Sequence, residues 1–128
     1  MNSRHLIKLV LLLVTILSSC EKDDIITESI SPIIETDLPE SGKVGQEIVI
    51  NVSHAVYNGC GYYSSQRTIQ NGKTLTVTFN AKYREGFCTM NIPILKTQYK
   101  FTLSNSGTYT FRFNSGQGDF LTQTITID

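Results

Sequence analysis

The sequence predicts an all-β fold, a sandwich of about seven short strands, and three observations carry that expectation. No stretch after Cys20 keeps apolar residues at the i, i+3, i+4 spacing of a helix for three turns. Period-two alternation recurs instead, in segments rich in Thr, Val, Ile, Tyr and Phe. Turn residues separate those segments at Asn58-Gly59, Asn71-Gly72, Asn105-Ser106-Gly107 and Ser115-Gly116-Gln117-Gly118.

Taken in order, Ile33 to Thr36 forms a first strand, ended by Leu38-Pro39. Ile48, Ile50 and Val52 share one face of a second, after Val44-Gly45. The third, Tyr62 to Ile69, fits worst. Pairing it across Asn71-Gly72 sets Thr68, Gln66, Ser64 and Tyr62 beside the apolar face of the next strand. Either a bulge shifts its register or it lies at a sheet edge, where polar residues discourage unwanted pairing; the edge is the preferred reading. The fourth strand alternates most cleanly, with Leu75, Val77, Phe79, Ala81 and Tyr83 between Thr74, Thr76, Thr78, Asn80 and Lys82. Asn71-Gly72 before it is the strongest turn, because both residues tolerate the positive φ of a tight hairpin. Tyr99, Phe101 and Leu103 define the fifth strand, Tyr109, Phe111 and Phe113 the sixth, and Leu121, Ile125 and Ile127 the seventh.

Two segments carry a resemblance. Ser106-Gly107-Thr108-Tyr109-Thr110-Phe111 resembles the tyrosine corner of immunoglobulin-like domains, in which a tyrosine hydroxyl bonds back to the preceding turn. Lys43-Val44-Gly45-Gln46-Glu47-Ile48 is similar to the lead-in to the second strand of bacterial immunoglobulin-like domains. The resemblance covers about residues 31–128 and implies an immunoglobulin-like β-sandwich. It departs from antibody domains in having Phe111 where the second core cysteine would lie, and in lacking tryptophan. Only the fold carries over, since this architecture hosts many unrelated functions.

The amino-terminal segment reads as an address. Arg4 and Lys8 precede an uncharged run from Leu9 to Leu17, then Ser18-Ser19-Cys20. That run is under half of the roughly 20 residues a membrane-spanning helix needs, and basic flanks with small residues before a cut are the signal-peptide pattern. Leu17-Ser18-Ser19-Cys20 resembles the lipobox of bacterial lipoproteins. The resemblance implies cleavage before Cys20, a diacylglyceryl group on its thiol, and further acylation of the new amino terminus, of the palmitate kind. The bland alternative is a secretory signal with an incidental cysteine. Glu21-Lys22-Asp23-Asp24 resembles the acidic export signal of Bacteroidota surface lipoproteins, and a solvated tether is its plain reading. The expected organisation is a signal peptide at 1–19, a lipidated acidic tether at 20–30 and the sandwich at 31–128. The expected location is the outer membrane, facing outward or, failing that, the periplasm.

Charge follows the same division. The chain holds 11 basic and 11 acidic residues, but residues 1–19 contain Arg4, Lys8 and no acid. The processed chain therefore has nine bases against eleven acids. Glu21 to Ser41 holds seven acids and one lysine, whereas the rest holds four acids and eight scattered bases. Scattered bases without a patch offer no case for nucleic acid. A length of 128 residues also excludes a two-domain enzyme with a cleft between lobes.

With Cys20 lipidated, Cys60 and Cys88 remain, in a chain exposed to an oxidising compartment. A bridge between them is expected; closing a loop of that length is worth about 3–4 kcal/mol in the chain-entropy model. The alternative, a reactive or metal-binding thiol pair, lacks a CxxC partner and has only His54 as a nearby imidazole.

Catalysis finds little support. There is no Gly-x-Ser-x-Gly turn to serve His54, no P-loop, dinucleotide fingerprint, zinc motif or EF-hand loop. His54 reads as an ordinary surface or partly buried histidine. No catalytic residue, metal or cofactor is expected. Asn51-Val52-Ser53 matches a glycosylation sequon but falls within a strand.

A binding surface remains. Tyr57-Asn58-Gly59-Cys60-Gly61-Tyr62-Tyr63 places three tyrosines and an amide on a glycine-rich turn that the bridge would hold. The bridge would draw Arg84-Glu85-Gly86-Phe87 beside it. Tyr57, Asn58, Tyr62, Tyr63, Arg84 and Phe87 are thus the candidate surface, for a protein or a glycan. The competing reading has Tyr57 and one of Tyr62 or Tyr63 plugging the end of the sandwich. The expected function is a non-catalytic, lipid-anchored binding or accessory module at the envelope. The alternative is an assembly component pairing through a sheet edge.

Overall fold

A computed structural model describes residues 27–128. The proposed signal peptide, Cys20 and the acidic run at 21–24 lie outside the described residues. The described chain is all-β, an immunoglobulin-like sandwich of two sheets. Nine strands run in order: β1 (Thr27–Ile30), β2 (Ile33–Thr36), β3 (Ser41–Gly42), β4 (Glu47–Ala55), β5 (Gly61–Asn71), β6 (Thr74–Tyr83), β7 (Ile94–Thr102), β8 (Gly107–Gly116) and β9 (Asp119–Ile127). The seven expected strands are all present; β1 and β3 are additions of four and two residues.

The smaller sheet has the order β2-β4-β7. The larger runs β6-β8-β9-β3, with β5 on the outer side of β6 and β1 beside β8 on its inner side. Because β7 crosses to the other sheet between them, β6 and β8 pair in parallel, Thr74 opposite Thr110 through Val77 opposite Phe113. β8 covers β6 only over that stretch. The rest of that edge, Asn80 to Tyr83, is paired instead by Ile30 to Thr27 of β1. Thr27–Ile30, counted with the tether in the expected organisation, are thus paired into the larger sheet. Nothing in Thr27-Glu28-Ser29-Ile30 announces a strand by itself; the vacancy left by β8 makes it one.

Alternation in the sequence becomes the core. Ile48, Ile50 and Val52 from β4, Leu75, Val77, Phe79 and Ala81 from β6, and Phe111 and Phe113 from β8 are all buried. Where antibody domains have a disulfide and a tryptophan, aromatic rings bridge the sheets: Phe101 of β7 meets Phe111 of β8 at 4.8 Å between centroids. The tyrosine corner forms as expected, the Tyr109 hydroxyl donating to the Asn105 carbonyl at 2.7 Å.

β5 satisfies both readings of its polar pattern. Among the described residues it pairs with β6 alone, as an edge strand, and a bulge between Tyr63 and Ser65 shifts its register. Past the bulge Tyr63, not Tyr62, stands opposite Ala81 and packs against the core.

The sandwich has two distinct ends. The near end carries the start of β1, the β4–β5 loop and the β6–β7 loop, since Thr27, Gly61 and Tyr83 share one register level and Ala55 pairs with Ile94. The far end carries the Asn71-Gly72 and Asn105–Gly107 turns and Asp128, whose carbonyl accepts from Val44 N–H at 3.1 Å.

Candidate functional site

All six residues of the candidate surface lie at or beside the near end, where two loops are stitched together. Cys60 and Cys88 are disulfide-bonded, with Cα atoms 5.3 Å apart. Backbone hydrogen bonds repeat the link: Gly59 N–H to the Thr89 carbonyl at 3.0 Å, Val56 N–H to Pro93 at 3.1 Å, and Arg84 N–H to Cys60 at 3.2 Å. Three hydrogen bonds and one covalent bond leave the β6–β7 loop little freedom despite its length. Gly59 and Gly61 permit the close approach. A Cβ on Gly59 would overlap the Thr89 hydroxyl, and one on Gly61 would lie 2.6 Å from the Val56 side chain.

The candidate residues then divide by role. Asn58 builds the turn: its side-chain oxygen accepts from Cys60 N–H at 2.9 Å and its carbonyl from Gly61 N–H at 3.2 Å. Tyr63 is a plug, packed edge-on to His54 at 5.9 Å and tilted on Phe79 at 5.4 Å; burial raises its phenol pKa. The competing reading is therefore right for Tyr63. Tyr57, still 58% exposed, stacks on Tyr83 at 5.7 Å, and the Tyr83 hydroxyl accepts from Tyr57 N–H at 2.9 Å. The Arg84 guanidinium sits over the Tyr62 ring at 5.1 Å, a cation–π contact. Phe87 touches so little that its side chain is fully exposed.

Sequence reasoning stopped at Cys88 and missed the apolar residues between Met90 and Ile94. Met90 is 93% exposed, and Ile92 and Ile94 are exposed as well. Their period-two spacing was available as a signal, but it normally marks a strand's buried face. Here the segment is committed to the stitches at Cys88, Thr89 and Pro93, which flank these residues, and the apolar side chains are left in water. Single exposed apolar residues are ordinary; four on one short, pinned segment make a candidate contact surface.

His54 is not the surface or partly buried residue expected, for it is fully buried. Ser31 donates to the Ala55 carbonyl at 2.6 Å, so the Ser31 oxygen accepts from His54 Nδ1 at 2.6 Å. Nε2 then accepts from the Thr97 hydroxyl at 2.8 Å. Burial pushes the imidazole below its ordinary value, in keeping with this neutral tautomer. Ser31 is equally buried, so the pair ties the β1–β2 connection to β4 and β7 and meets no solvent.

A depression lies on the outer face of the smaller sheet, lined by Glu35, Thr36, Asp37, Asn51, Ser53 and Lys96. Its chief polar groups already serve one another. Asp37 accepts from the Asn51 side chain at 2.8 Å and its N–H at 2.6 Å, and these bonds hold the carboxyl below its usual value. The sequon asparagine is thus engaged in the fold. Among the described residues, no group of three or more His, Cys, Asp or Glu is placed to hold a metal ion.

Residues 50–126 match the family model described as the ORF11 beta-sandwich domain. The chain belongs to that family. The match runs from within β4 to within β9, so it takes in both stitched loops and the disulfide and leaves out β1, β2 and β3. Comparison with curated proteins and with solved structures gives no match. For this ORF11 beta-sandwich domain the near end therefore lies inside the shared unit, while the strand that joins it to the amino terminus lies outside.

Proposed function

We propose that the protein is a non-catalytic binding module, held to the envelope by acyl chains on Cys20, that meets its partner through the stitched loops of the near end. One observation carries this reading: Phe87 and Met90 are almost wholly solvent-exposed on a loop that a disulfide and three hydrogen bonds hold in place. Flexible loops relieve such exposure by folding back; a pinned loop keeps it. The apolar character favours an apolar partner over a glycan, which calls for convergent polar groups. The lipobox-like Leu17-Ser18-Ser19-Cys20 supports the anchor, and the acidic run after it supports outward display.

A photo-crosslinking amino acid at Phe87, compared in cells with one at Val44 of the far end, tests the surface. Adducts at 87 and none at 44 are expected; equal yields would overturn the assignment. Labelling with an alkyne fatty acid, abolished by Cys20→Ser, tests the anchor, and protease treatment of whole cells tests which way the domain faces.

The open edge of β5, eleven residues long, favours a second reading as an assembly component. Its bulge and Arg67 are devices that discourage edge pairing, and concentration-dependent oligomers of the purified chain would revive it.

A further inference from the structure

We infer that the partner of the near end is the lipid surface itself, the bilayer in which the anchor sits. The inference rests on the anchored reading above and adds what covers the exposed loop.

Covalent reach is the first argument. β1 begins at Thr27, and Thr27 stands opposite Tyr83, the last residue before the β6–β7 loop. Six residues separate Cys20 from Thr27, so the seven steps of chain span at most about 25 Å. β6 alone, ten residues long, rises about 33 Å towards the far end. A domain standing on its far end would need the tether to run back along that height, which exceeds its reach. Of the two ends, only the loop end lies within the tether's reach of the membrane.

The second argument is the chemistry found there. The tip presents Phe87, Met90 and Ile92 to solvent. Behind it, Tyr57 stacks on Tyr83, and Arg84 covers the Tyr62 ring. An apolar tip backed by tyrosines and an arginine follows the polarity gradient of a bilayer interface, where amphipathic rings gather at headgroup level and arginine keeps its charge in water. Glu85 and Arg84 are the loop's only charges, so it carries no net repulsion from neutral or anionic headgroups. The stitches give the tip a fixed shape, so docking orders almost nothing further. Docking would also hold the sandwich upright, with its far end turned away from the membrane.

The chain contains no tryptophan, so a single indole reports its own surroundings. Phe87→Trp and Val44→Trp are made in the full chain, recovered from membranes, and placed in phosphatidylethanolamine–phosphatidylglycerol vesicles with or without dibrominated acyl chains. The expected result is blue-shifted emission from Phe87→Trp that loses most of its intensity to the brominated lipid, while Val44→Trp emits as in water. Emission from Phe87→Trp that matches Val44→Trp overturns the inference. The intact mass of the same samples reads Cys20 separately. An acylated chain with an unquenched indole removes the docking and leaves the anchor standing; an unmodified Cys20 removes the anchor and the inference together.

Discussion

The two ends of the sandwich solve the same problem differently. At the far end, loops are short and mostly polar, and hydrogen bonds alone hold them: Gln46 N–H to Lys43 within one turn, Gly45 N–H to Leu103 of the neighbouring loop at 2.9 Å, and the Tyr109 hydroxyl back to Asn105. Gly72 and Gly107, both at positive φ, make the tight reversals. At the near end two longer loops are joined to each other by a disulfide and backbone bonds, and they hold large apolar side chains in water. Closing a chain reversal needs only a turn residue and one or two hydrogen bonds. The extra cross-linking of the near end is explained by what it holds out, because an unpinned loop carrying Phe87, Met90 and Ile92 would collapse onto the sandwich.

That contrast is easiest to break at the disulfide. Cys60→Ser with Cys88→Ser frees a loop across a separation of 28 residues and should cost about 3–4 kcal/mol, more than about 10 °C in melting temperature for a domain of this size. Calorimetry of the double variant beside the parent measures it. A shift of only a degree or two would mean that the hydrogen bonds at Gly59, Val56 and Arg84 hold the loops unaided.

The next largest effect concerns the polar tie behind the near end. His54→Leu leaves the Thr97 hydroxyl without its ring acceptor and should cost about 1–3 kcal/mol. It also has a pH signature. The folded imidazole titrates below its unfolded value of about 6.5, so the unfolded chain binds the proton first as pH falls. Stability is then full above that value, declines as pH drops from it through the folded pKa, and levels off below. Melting temperatures of parent and His54→Leu between pH 4 and 8 (a range on the order of the imidazole window) should show that decline in the parent alone. The far end has no equivalent: Tyr109→Phe removes one hydroxyl bond and should cost about 1 kcal/mol, independent of pH over the same range.

Much of this was legible in the sequence, and the parts that were not share a cause. The alternating strands, the tyrosine corner, the Cys60–Cys88 pair and the position of Phe87 beside it follow from local pattern or from cysteine count. β1 was not legible, because its pairing depends on where β8 departs from β6. The inward turn of Tyr63 depends on a bulge that nothing in Tyr62-Tyr63-Ser64-Ser65 specifies alone. His54 was misjudged since its partners, Ser31 and Thr97, lie 23 and 43 residues away. Met90 and Ile92 were passed over because alternation usually means burial, and only the stitched backbone shows that here it does not.

The smallest expected effect on stability tests the contrast most sharply. Phe87→Ser with Met90→Ser should leave the melting temperature nearly unchanged, within about 0.5 kcal/mol, since neither side chain packs on the sandwich. The same change should weaken the near end's contact with its partner by about 100-fold or more, because burying each of these side chains is worth about 1.5–3 kcal/mol. Matched changes at the far end, such as Val44→Ser, should alter neither. The separation is what matters. If the double variant melts well below the parent, these side chains are packed within the chain and the near end is an extension of the core. If it melts with the parent and loses contact, rigidity and recognition occupy the same loop but reside in different atoms, the first in Cys88, Thr89 and Pro93 and the second in the side chains of Phe87 and Met90.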